Sequence, residues 1–145
     1  HFPHAIPGIF EALAVETVET AVRRYRIDSK KYSGLDKPRH FIGLTADEFH
    51  KAGELAVVMV RASVDQATNS GWPWGLGYQT TIDCYDEAAE DDDLPGTSAD
   101  LAETTHIHFY GSLYLWALGR LDGDRFLQSA KSSVDLAINA LQVSR

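Results

Sequence analysis

Residues 97–119 read TSADLAETTHIHFYGSLYLWALG, and from Thr104 to Gly119 the stretch contains no Asp, Glu, Lys or Arg. A helix without charge on any side is normally enclosed by other elements, so this segment is expected to be the most buried helix of the chain. Thr97 or Ser98 is its expected cap, because a side-chain hydroxyl accepts from one of the first amides, which lack a carbonyl partner within the helix. Gly111, Ser112 and Gly119 are small positions at which another backbone could come close. The apolar part, Ile107 to Gly119, carries His108 and Ser112 and is shorter than the roughly 18 residues a membrane span needs.

Helical spacing continues on both sides of this segment. From Ile9, the residues Phe10, Ala14, Val18, Ala21, Val22 and Tyr25 recur every three or four positions, predicting a first helix that ends near Lys31. Residues 1–8, with Pro3 and Pro7, are expected to form an irregular N-terminal arm. Thr45 with Glu48 three residues later has the form of a capping box, predicting a second helix from Ala46 to about Asn69, before Ser70-Gly71. Tyr78, Ile82, Tyr85 and Ala89 mark a short third helix with an acidic outer face. After the tight turn Leu121-Asp122-Gly123-Asp124, the stripe Phe126, Ala130, Val134, Ala137 and Leu141 predicts one last helix from Arg125 to Val143. There is no internal repeat and no composition break. The expected fold is all-α: residues 1–145 as a single-domain antiparallel four-helix bundle with an additional short helix packed across it.

Composition narrows the function classes. The 145 residues are 44% hydrophobic, too apolar for a disordered chain, and long enough to bury a substantial core. A net charge of −8 argues against a general nucleic-acid binder, and no membrane partner is expected. The one cysteine, Cys84, forms no internal disulfide, and its neighbours Asp83, Asp86 and Glu87 would raise its pKa, so it reads as a structural thiol. A cytoplasmic location is the default expectation. Charge is segregated: seven of thirteen basic residues lie between Arg23 and Arg39, and seven acids lie between Asp83 and Asp93. Either the two blocks neutralise each other, or the acidic one is kept for a basic protein partner.

The candidate chemistry is sparse. Glu103 and His106 lie three apart on the uncharged helix, the spacing of carboxylate–histidine ligands in helical bundles, and could hold a divalent metal. The bland alternative is an N-terminal glutamate that favours the helix dipole. Asp47 and His50 repeat the spacing, but on a wheel they fall away from the apolar stripe. A dinuclear site would need both pairs at one end of the bundle, which only a crossover topology provides. Phosphate-binding loops, nucleophile elbows and zinc knuckles are absent. Trp72 and Trp74 flank Pro73 in an aromatic turn that either plugs the bundle end or anchors a partner.

Two functions are consistent with these residues. The first is a non-catalytic interaction module of inhibitor or immunity type. Its acidic surface of Asp86, Glu87, Glu90, Asp91, Asp92 and Asp93, with Trp72 and Trp74, would meet a basic protein. The second is a metal-dependent helical-bundle enzyme with Glu103 and His106 as ligands.

Overall fold

The computed structural model describes residues 2–61 and 75–143, and for residues 2–8, 10 and 11 the backbone alone. Every regular element among the described residues is helical. Helix α1 is Phe2–Asp28, followed by one 3-10 turn at Ser29–Lys31. The expected irregular arm is therefore the start of α1. Pro3 stands in the first turn, where a missing N–H has no helical carbonyl to lose and a fixed φ suits the helix, so it does not prevent this.

The second expected helix is placed differently. Helix α2 spans Asp36–Ala52 and helix α3 covers residues 54–61. Between them Gly53 adopts φ 57°, and its amide bonds the His50 carbonyl, ending α2. Thr45 caps nothing: it is buried inside α2 with its hydroxyl donating to the Phe41 carbonyl at 2.9 Å. The head of α2 is held from elsewhere in the chain. The Leu35 amide donates to Asp92 Oδ2 at 2.9 Å, and the Gly34 amide to Asp91 Oδ2 at 3.2 Å. Gly34 has φ 55°, and a Cβ there would run into the Asp92 carboxylate, so only glycine suits this crossing.

Helix α4 is Leu76–Ala88, close to the expected short helix. Helix α5 is Ser98–Ala117, and Thr97 Oγ1 accepts the Asp100 amide at 3.1 Å, as its residue type predicts. Gly119, at φ 75°, closes α5 with two backward bonds, from its own amide to Trp116 and from the Arg120 amide to Leu115. Arg61 Nε adds a bond to the Ala117 carbonyl at 3.0 Å. The expected last helix is two: α6, Gly123–Lys131, capped by Asp122, and α7, Ser133–Val143. The break coincides with Ser132 and Ser133, whose hydroxyls donate back to the Gln128 and Ala130 carbonyls and compete with the helical ladder.

Helices α2, α4, α5 and α6 each pack against the next and close a ring. Helix α1 lies on α2 and α4, while α7 lies on α5, α2 and α6. The ring thus uses α4 and α6, which the sequence reading had as a crossing helix and half of a longer one. Phe41 and Phe49 from α2, Tyr85 from α4, Leu101 and Leu113 from α5 and Phe126 from α6 are fully buried inside it. Each such side chain contributes about 1.5–3 kcal/mol on leaving water. Phe109 links them, with ring centroids 6.3 Å from Phe49 and 6.4 Å from Phe126, and Phe126 stacks on Trp116 at 4.6 Å. Among the described residues no helix is long and apolar enough to cross a membrane.

Candidate functional site

The acidic block is partly spent inside the molecule. Asp91 and Asp92 accept the amides that open α2, and Glu87 Oε2 pairs with Lys37 Nζ at 2.8 Å. That bond raises the Lys37 pKa above its ordinary value. The basic and acidic blocks therefore meet, and their encounter fixes where α2 begins. Asp86, Glu90 and Asp93 remain exposed beside them. Trp72 and Trp74 lie outside the described residues.

Glu103 and His106 face different surroundings. Glu103 is exposed, whereas His106 is 4% exposed in the core. Its Nε2 lies 3.0 Å from Thr81 Oγ1, and that hydroxyl donates its own proton to the Gly77 carbonyl at 2.7 Å. The Thr81 oxygen must then accept, which places the imidazole proton on Nε2. Tyr78 meets the ring edge-on at 5.5 Å, Tyr110 lies at 5.3 Å, and burial drives the His106 pKa down to about 4. Among the described residues no group of three or more His, Cys, Asp or Glu side chains could hold a metal ion. Cys84 is also enclosed, and burial first, then Glu87 and Asp83, pushes its thiol up to about 12. These groups are packed, neutral and hydrogen-bonded parts of the core.

A groove of about 510 Å³ runs between α5 and α7, walled by Ile107, Gly111, Leu115, Leu136 and Ala140 among others. On its floor His108, Ser112 and Ser129 form a polar cluster that resembles a nucleophile with its base. The protons are already placed, however. His108 Nε2 donates to the Ser129 carbonyl at 3.0 Å, and Ser112 donates to the His108 carbonyl at 3.0 Å. Ser129 Oγ therefore donates to Ser112 Oγ at 2.6 Å. His108 Nε2, being a donor, cannot take a proton from Ser129 at 3.3 Å. This closed cycle ties α5 to α6 and leaves neither serine hydroxyl donating to an imidazole nitrogen, so it does not support acyl transfer.

The outer side of α5 departs most from expectation. Leu101, Thr105, His106, Phe109, Leu113 and Ala117 are buried, but Ile107, Tyr114, Leu115 and Leu118 are exposed, Ile107 by 63%. At about 100° per residue, Tyr114, Ile107, Leu118, Gly111, Thr104 and Leu115 fall within an arc of about 100°, a single face. Gly111 is exposed, and a Cβ added there would meet nothing within 4 Å. The uncharged run is thus enclosed on one side and bare on the other. The spacing was readable in the sequence; which side other helices would cover was not. No family model matches this chain, and no match was found among curated proteins or solved structures.

Proposed function

We propose that this chain is a non-catalytic helical interaction module that meets a protein partner through the outer face of α5 and the groove beside α7. One observation carries the reading: an uncharged helical face with Ile107, Tyr114, Leu115 and Leu118 exposed together. Contiguous apolar surface of this kind is unfavourable in water and marks contact sites more often than it marks idle surface. The polar groups beside it support binding over catalysis, because the His108, Ser112 and Ser129 protons are committed to one another. The acidic residues Asp86, Glu90 and Asp93 supply a second contact reading, in which a basic partner is drawn in as for an inhibitor or immunity protein.

The test is retention of a partner from native extract by purified wild type, Leu115→Asp, and the combined Asp86→Asn, Glu90→Gln, Asp93→Asn variant, at low and high salt. The α5 reading requires loss with Leu115→Asp and little dependence on salt. Loss confined to the acidic variant and reversed by low salt favours the acidic surface instead. Partner binding indifferent to both variants removes the proposal.

A further inference from the structure

We infer that the partner on the α5 face is a second copy of this chain, docked antiparallel with the two helices crossing at Gly111. The inference rests on that face being a contact surface and names its occupant. The first argument is symmetry. An isologous contact requires that each residue before the centre find its complement the same distance after it. About Gly111, Ile107 lies four residues before and Leu115 four after, and Thr104 seven before and Leu118 seven after, while Tyr114, three after, has the half-buried His108 as its counterpart. In an antiparallel pair, Ile107 of each copy therefore lies on Leu115 of the other.

Charge at the two ends of the face supplies the second argument. Glu103 stands eight residues before Gly111 and Arg120 nine after it, and both are exposed. At 1.5 Å per residue Glu103 lies about 12 Å before the crossing, and Arg120 follows the end of α5 at Ala117, so antiparallel docking brings the Glu103 end of each copy to the Arg120 end of the other. The Arg120 amide is bonded to the Leu115 carbonyl, which keeps that residue at the end of α5. A parallel pair would set Glu103 against Glu103 and Arg120 against Arg120. Among the described residues neither side chain has an ion-pair partner within the chain.

Gly111 is the third argument. Glycine weakens a helix interior relative to alanine. Among the described residues nothing calls for it, since an added Cβ meets no atom within 4 Å. A second helix crossing there would use that space and bring the flanking Ile107 and Leu115 into contact. The face between Thr104 and Leu118 is about 21 Å long and, with α7, about 20 Å wide, which gives about 400 Å² of footprint per copy. That is below the roughly 800 Å² per partner of a standard stable interface, so the dimer is weak and forms only at high concentration.

Sedimentation equilibrium of the full chain from about 5 to about 500 μM tests this, since mass action makes a weak dimer concentration-dependent. Wild type is expected to pass from monomer to dimer across the range. Gly111→Leu is expected to stay monomeric while melting no lower than wild type, because a Cβ at that exposed position meets nothing within 4 Å among the described residues. Glu103→Arg and Arg120→Glu are each expected to weaken the dimer about tenfold through two like-charge contacts, and the double variant to restore it to within about threefold. A wild type monomeric throughout, or a dimer indifferent to Gly111→Leu and to the charge exchange, overturns the inference. Partner retention that still fails with Leu115→Asp would then show the face binding some other protein.

Discussion

Acidification should destabilise this protein through His106, and the size of the effect follows from where the ring sits. A histidine ionises near 6.5 in an unfolded chain, while burial holds His106 at about 4. Between those values the unfolded state binds a proton that the folded state refuses, so stability is full above about pH 6.5 and falls as pH drops through that window. The loss is about 2 kcal/mol by pH 5 and about 3 kcal/mol below pH 4. Among the described residues the groups around the ring are Thr81, Gly77, Tyr78, Tyr110, Val18 and Phe109, none of them an acid. Urea unfolding of wild type and His106→Gln at pH 8 and pH 5 isolates this residue, because the other titrating groups are common to both proteins. Wild type should lose about 2 kcal/mol more than the variant between the two pH values. Equal losses would refute the argument that His106 is folded only as the neutral imidazole.

Three further substitutions probe the packing. Gly34→Ala combines a strained positive φ with displacement of the Asp92 carboxylate, and should cost about 2 kcal/mol in chemical denaturation. Asp122→Ala removes the acceptor of the Arg125 amide, a bond of 2.8 Å, and should cost about 1 kcal/mol, read as a lower thermal midpoint. Phe126→Ala empties the centre of the aromatic cluster and leaves Ala130 as the one buried apolar residue of α6. It should cost about 3–5 kcal/mol, with hydrogen exchange accelerating first in α6.

Helical class was legible because apolar spacing is a local signal that survives in every tertiary setting. The stripe Phe126, Ala130, Val134, Ala137 was read correctly as one side of the chain's end, yet the break at Ser132 was missed, since α6 and α7 keep burying those same residues. Thr97 and Thr45 show the limit of reading caps. Both have the right residue type, but Thr97 caps α5 and Thr45 is buried in mid-helix. What decided against Thr45 was a pair of carboxylates 57 residues away, which no local window contains. Gly53 is a local signal within the expected second helix, and at φ 57° it ends α2 there. At the candidate site, Glu103 and His106 shared a helix and a favourable spacing. The bare side of α5 then left one in solvent while the core enclosed the other.

The bonds from Gly34 and Leu35 to Asp91 and Asp92 also order events in time. During synthesis the residues of α2 leave the ribosome well before residues 91 and 92 exist as chain. Until then the Gly34 and Leu35 amides, just ahead of α2, have only water to bind, so the entry to the helix is loose whatever the rest of it does. Lys37 waits likewise for Glu87, 50 residues on. The N-terminal half therefore cannot lock in its final form as a finished unit. The entry to α2 is completed only when the connection between α4 and α5 folds back over it, a closure of long sequence separation.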